Sequence, residues 1–231
     1  RDRNSHGQLR QGPRMRTECE RHVNGDVLTE GIGPEQARRT IIASNALWLL
    51  ALFAAASVLA WPWISGRLTI PWDAKAHFLP QLQFMARSFA QGESPFWLPY
   101  VFAGHPQIAD PQSLLFSPPF VLLALAGPAP TAWAMDTTLY LFITISAAAL
   151  MIWLRDKDLH PLACFLAALS FAFGAAMAWR IQHTGQVLSL AYLPFVLLFL
   201  ERALNRRSVP YGMAAGLAAA FLVLGRDQVA L

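Results

Sequence analysis

Leu114-Leu115-Phe116-Ser117-Pro118-Pro119-Phe120-Val121-Leu122-Leu123-Ala124-Leu125-Ala126 is the stretch on which the topology of this chain turns. It is apolar throughout, yet two adjacent prolines interrupt it, and as a helix at ~1.5 Å per residue it would reach only about 20 Å, short of a ~30 Å hydrocarbon core. A crossing here would invert every later loop. The stretch therefore reads as a re-entrant or interfacial segment, or as a short extension packed on the span that follows it.

Working outward, apolar runs on both sides are long enough to cross. Ile41 to Trp63 spans about 35 Å as a helix, with Trp61 and Trp63 at its outer interface. The second span runs from Thr131 to Leu154 and meets Arg155, Asp156, Lys157 and Asp158; the third is Pro161 to Trp179, the fourth Val187 to Leu204 and the fifth Pro210 to Leu224. Arg38 and Arg39 before the first span, and Arg202, Arg206 and Arg207 around the turn after the fourth, place the N-terminus and those turns in the cytoplasm. The expected fold is an all-α polytopic transmembrane helix bundle over 41–231, with a long outer loop at 64–130.

Composition agrees. Hydrophobic residues make up 55% of the chain against 14% charged, a balance that excludes an ordinary soluble domain. The formal charge of +4 comes from Arg and Lys at the ends of apolar runs, as the positive-inside bias produces, so nucleic acid is not an expected partner. Cys19 and Cys164 supply neither a disulfide framework nor a cysteine-rich metal site. Residues 1–40 read as a polar, disordered cytoplasmic tail without the pattern of a secretory signal. The chain opens on Arg1, with Met15 a candidate start that would leave 1–14 untranslated, and it stops just past the fifth apolar run. It reads as the N-terminal part of a longer product, expected to be inactive alone.

The outer loop is too long and too patterned for a connector. Phe78, Leu82, Met85 and Phe89 recur at helical spacing, with Gln81, Gln83, Arg87, Ser88 and Gln91 off that stripe. An amphipathic surface helix follows, with Pro80 in its first turn and Gly92 at its end. Packing on the bundle and gripping a lipid substrate are both open roles for it.

The order Asp73, then Gly92-x-x-Pro95-x-Trp97-x-Pro99-Tyr100, Phe102-x-Gly104-x-Pro106 and Asp110-Pro111-Gln112-Ser113-x-x-Phe116-x-Pro118-Pro119 resembles the YfhO-like family of bacterial membrane proteins. That family is grouped with the GT-C fold glycosyltransferases, and the resemblance covers about 41–231, with Gly174 and His183 less distinctive members of it. It implies a GT-C-like fold in the bacterial inner (cytoplasmic) membrane and a transferase that moves sugar from a polyprenyl-phosphate carrier to a cell-envelope glycan or glycopolymer acceptor. Asp73 occupies the place of the family's acidic residue in the first outer loop.

Chemistry gives Asp73 three readings. A carboxylate can accept the proton of an attacking hydroxyl, can hold a divalent cation such as Mg or Mn that screens the departing phosphate, or can simply cap the following helix. His77, four residues on, can share a metal or phosphate with it, or be solvated. His105, Gln107, Asp110 and Gln112 lie in a proline-punctuated loop, suited to sugar hydroxyls, to phosphate oxygens or to a rigid turn. On the next outer turn stand Arg180, Gln182, His183 and Gln186, where Arg180 reads as a phosphate clamp or an interfacial anchor, and Asp227 and Gln228 follow the fifth span on the same side. A transporter or lipid flippase would need an ionisable group near the midplane, for which Asp136 is the best candidate, and a noncatalytic scaffold leaves the His/Gln/Asp loop unexplained. The chain lacks a glycine-rich nucleotide loop, which disfavours a nucleotide-sugar donor.

Overall fold

The computed structural model describes residues 34–110 and 112–224, with side chains from 43 onward. Residues 1–33 of the tail expected to be disordered, the candidate start at Met15, Cys19, Pro111, Asp227 and Gln228 lie outside the described residues. Asn45–Leu231 forms one unit, distinct from Arg1–Ser44. The described residues are 74% helix and 2% strand, which makes the class all-α.

Helix α1 runs from Pro34 to Leu59, so helix begins inside the stretch expected to be polar tail. Proline is suited to a first helical turn, where its missing N–H would have no partner in any case. The expected first span does not continue unbroken to Trp63. Pro62 cannot donate to the helical ladder, and the chain breaks at Ala60 before the four-residue helix α2, Trp61–Ile64. A five-residue π-helical turn, Ala74–Phe78, leads directly into α3, Leu79–Gln91. Then come α4 (Pro118–Ala126), α5 (Ala132–Arg155), α6 (Pro161–Phe173), α7 (Ala175–Arg180), α8 (Thr184–Arg206) and α9 (Val209–Leu224).

Among the described residues, three stretches are long and apolar enough to cross a membrane: Ala132–Arg155, Pro161–Arg180 and Thr184–Arg206. They coincide with the second, third and fourth expected spans. Ala43–Leu59, within the first expected span, and Val209–Leu224, over the fifth, are apolar helices below that length. Helix α4, built on the decisive Leu114–Ala126 stretch, has nine residues. At ~1.5 Å per residue that is about 13 Å, less than half a bilayer core. Pro118 and Pro119 occupy its first turn, and it packs between α3 and α5 with Phe120 fully buried, as expected of a short extension on the next span.

Each reversal has a local cause. The Thr131 hydroxyl accepts from Ala134 N at 3.2 Å to start α5, and His160 Nδ1 accepts from Leu162 N at 3.3 Å to start α6 beside Pro161. Helices α5, α6 and α8 pack together, with α9 against α8, around Leu139, Ile143, Ala147, Cys164, Ala168 and Ala191. In the turn before Pro194, which donates no N–H to the ladder of α8, the Ala191 carbonyl accepts from Ser146 Oγ. At one end of these helices Asp156 accepts twice from Arg202, at 2.7 and 3.1 Å, and Glu201 accepts from Lys157 at 2.6 Å and from Trp153 Nε1 at 2.7 Å. The basic turns expected on a common side are thus joined to one another.

At the opposite end of α5, Asp136 is buried and its carboxylate accepts from Ile70 N at 2.9 Å. The Trp133 indole donates to Ile64 O at 2.8 Å. These two bonds pin the start of the outer loop to α5. Asp136→Ala is expected to destabilise the protein by about 2 kcal/mol, because it leaves a buried backbone N–H without its charged acceptor. Thermal unfolding in detergent measures the loss, and an unchanged midpoint would show the loop to be held by other means.

Candidate functional site

The outer loop reaches its site through a strained step. Trp72, a bulky residue, has φ 59, and its carbonyl accepts from Lys75 N and Ala76 N at 3.0 and 2.9 Å. A left-handed conformation costs a non-glycine residue roughly 1–2 kcal/mol, and such residues recur where a neighbour must be aimed. Here the neighbour is Asp73. It stands at the N-cap of the π-helical turn but makes no side-chain capping bond. Instead its Oδ2 lies 3.0 Å from His183 Nδ1, with the Asp73 side chain half exposed. The capping role is therefore not taken, and the turn before α8 meets the loop that follows α2.

That turn is short and ordered. His183 N donates to Arg180 O at 2.8 Å, and Gln186 N to His183 O at 2.9 Å. Gln182 Nε2 is 3.4 Å from His183 Nε2, so the ring touches a carboxylate on one side and an amide on the other. The Arg180 guanidinium donates to Gln186 Oε1 at 2.6 Å and is solvent-exposed. It is placed within three residues of His183, where it has both exposed donors and an anchor.

A second group of polar side chains surrounds a groove of about 700 Å³ along α3. The apolar stripe of α3 faces inward: Leu82 and Met85 are buried, with Ala86, and the helix packs on α4. Of the two open roles, packing on the bundle is the one this face takes. Gln81 and Ser88, which flank the stripe at 100° per residue, are buried as well. Gln83, Arg87 and Gln91 line the groove from α3, opposite Tyr100, Phe102 and His105. Gly92 ends the helix at φ 70, its N–H returning to Phe89 O and that of Glu93 to Ser88 O.

Asp110 is the hub of this group. Its Oδ1 accepts from Gln112 N at 2.8 Å, while Oδ2 lies 3.5 Å from both Gln81 Nε2 and His105 Nε2. Gln81 Nε2 is also 3.1 Å from His77 Nε2. The amide nitrogen of Gln81 thus stands within reach of both the Asp110 carboxylate and the His77 ring. His77 is thus tied to Gln81, four residues on, and Asp73 to His183, so the two side chains expected to share a metal or a phosphate each have another partner.

The outer wall of the groove is a minimal hairpin, Trp97–Leu98 (β1) against His105–Pro106 (β2). Its loop carries three successive positive-φ residues, Phe102 at 51, Ala103 at 60 and Gly104 at 114. A Cβ at Gly104 would stand 2.4 Å from the Trp97 ring. Gly104→Ala is expected to push the indole aside and cost about 2 kcal/mol, since it adds both a clash and a conformation that only glycine adopts readily. Weakened protease resistance of the 97–106 loop checks this; native resistance would show the hairpin to be adaptable.

Of the residues singled out from sequence, His77, His105, Asp110 and Gln112 line the groove, while Asp73, Arg180 and His183 form the neighbouring group. Gln107 belongs to neither. It is 1% exposed in a short 3-10 turn and does not line the groove, so its expected ligand role is not supported by its placement. The sequence reading missed Gln81 as a bridge, although its i, i+4 relation to His77 was a signal, and missed Tyr100 and Phe102, for which only the positive-φ loop geometry speaks. A divalent cation fits poorly at Asp73: Asp73 and His183 offer two donors where a hard cation takes about six oxygens, and no cluster of three His, Cys, Asp or Glu occurs among the described residues.

Comparisons with protein-family models, with curated proteins and with solved structures find no match. The likeness to the YfhO-like family rests on the sequence motifs alone.

Proposed function

We propose that this chain is a membrane glycosyltransferase of the GT-C type, related to the YfhO-like proteins, which moves a sugar from a polyprenyl-phosphate carrier to an extracytoplasmic cell-envelope acceptor at the bacterial inner membrane. The observation that carries the reading is the Asp73–His183 contact at 3.0 Å, made between the first outer loop and the outer turn before α8, one π-helical turn from the groove. In transfer, the acceptor hydroxyl forms a bond to the anomeric carbon as the bond from that carbon to the phosphate oxygen breaks. The electron pair leaves with the polyprenyl phosphate, and the hydroxyl proton passes to Asp73. Nδ1–H of His183 donates to Oδ2 of Asp73, which leaves Oδ1 free for the proton. Arg180, exposed three residues away, is suited to the phosphate.

Three helices of membrane-crossing length supply the setting such a lipid-linked donor needs. A transporter would want an ionisable group near the midplane, whereas the carboxylate of Asp136 accepts from Ile70 N near the end of its helix. The test is transfer of labelled sugar from polyprenyl-phosphate donors in membranes carrying the full-length gene product. Absence of transfer from every donor by a correctly inserted protein would turn the reading to transport or scaffolding.

A further inference from the structure

The groove along α3 is more specific in its chemistry than a general polar cleft. Its volume of about 700 Å³ falls within the ~300–1,000 Å³ of small-molecule sites. Its charged lining residues are Arg87, Glu93 and Asp110, one guanidinium against two carboxylates. A phosphate placed there would face more repulsion than attraction. The side-chain amides of Gln91 and Gln112 each donate and accept, the pattern that matches hydroxyl groups, which do the same.

Two aromatic rings stand in the lining with almost no cover. Tyr100 is 82% exposed and Phe102 88%, although each touches one ring, Phe84 at 6.1 Å edge-on and His105 at 6.4 Å. Phe102 is held at φ 51 to present its ring. Strain spent on exposing a large apolar side chain inside a polar groove calls for a partner with an apolar face. The face of an aromatic ring carries negative quadrupole charge and attracts the C–H edge of a pyranose. Trp72 and Trp179 are exposed too but line no part of the groove, and suit the membrane interface instead.

We infer that the groove between α3 and the 97–112 loop binds a neutral saccharide, stacked on Tyr100 and Phe102 and hydrogen-bonded by Gln91, Gln112 and Arg87, and that this is where the acceptor glycan lies. The second half of this statement rests on the transferase reading. The lipid phosphate is then met on the Arg180 side, and the acceptor hydroxyl approaches Asp73 past Ala76 and His77, which line the near end of the groove.

The experiment is saturation-transfer NMR and fluorescence titration of the detergent-solubilised full-length protein with N-acetylglucosamine and with its β-1,4-linked disaccharide, using inorganic phosphate and tetramethylammonium as charged comparators. The expected result is saturable saccharide binding that weakens at least tenfold in Tyr100→Ala and in Phe102→Ala and stays within about twofold of native in Tyr100→Phe. Both rings are exposed, so these variants should fold; a matching circular dichroism spectrum and unfolding midpoint confirm it. Binding of phosphate or tetramethylammonium in place of saccharide overturns the inference, as does the absence of saturable saccharide binding, or saccharide binding indifferent to both rings. Ring-dependent saccharide binding by a protein that transfers no sugar keeps the cleft and removes the transferase. Sugar transfer without ring-dependent saccharide binding does the reverse.

Discussion

Asp73→Asn is expected to lower sugar transfer by a factor of about 10² to 10⁴, the usual worth of a positioned general base, while membrane insertion and the unfolding midpoint stay at native values. Asparagine keeps the shape of the side chain and can still meet His183, but it has no lone-pair charge to accept a hydroxyl proton. The structural alternative is separable. Were Asp73 a helix cap, Asp73→Ala would cost about 1 kcal/mol of stability and Asp73→Asn nearly nothing in any property. The structure places no capping bond on this side chain, so the alanine variant should be as stable as the asparagine one and equally inactive. His183→Ala removes the group that orients the carboxylate and not the base itself; a loss of about tenfold, smaller than that of Asp73→Asn, is expected from positioning alone. Native transfer rates in Asp73→Asn would remove the assignment.

The largest stability effect is expected at Gly174. This residue joins α6 to α7 within the 161–180 span, extended at φ −68 and ψ 167, with its N–H donating to Ser170 O at 2.8 Å. A Cβ there would lie 2.2 Å from that same oxygen. The conformation itself is open to any residue, so the cost is steric, and the atom in the way is backbone. Gly174→Ala should destabilise the protein by about 3 kcal/mol or force the two helices to part, which would also displace Arg180 and the turn that carries His183. Gly216 in α9 is the control: nothing lies within 4 Å of a Cβ there, and Gly216→Ala should be neutral or stabilise by up to ~1 kcal/mol through helix propensity. Midpoints of thermal unfolding in detergent compare the two. Equal midpoints would show that the α6–α7 break does not depend on glycine.

Much of this architecture was readable along the chain. The spans at 131–154, 161–179 and 187–204 followed from apolar length. Helix α3 followed from its stripe, with Pro80 in the first turn and Gly92 at φ 70 closing the end. The placement of Asp73 on the same side as Arg180 and His183 followed from counting crossings, and the 3.0 Å contact is in keeping with that count. The break at Ala60 was less visible, although Pro62 announced it. The left-handed Trp72 left no trace in composition, since tryptophan is a residue one would not choose for that conformation.

Sequence alone determined that this is a helical protein with membrane-crossing segments and that many of its polar residues gather in the long loop after the first apolar run. Those properties are local: hydrocarbon demands length and apolarity residue by residue, and prolines and glycines mark where a helix must stop. Only the tertiary structure decided that Asp73 pairs with His183 and not with His77, that Gln81 bridges His77 to Asp110, and that Gln107 is enclosed while Tyr100 and Phe102 stand open in the groove. Each of those outcomes depends on which side chains from distant segments come within hydrogen-bond reach, an interaction that falls away over an ångström and that no one-dimensional spacing encodes.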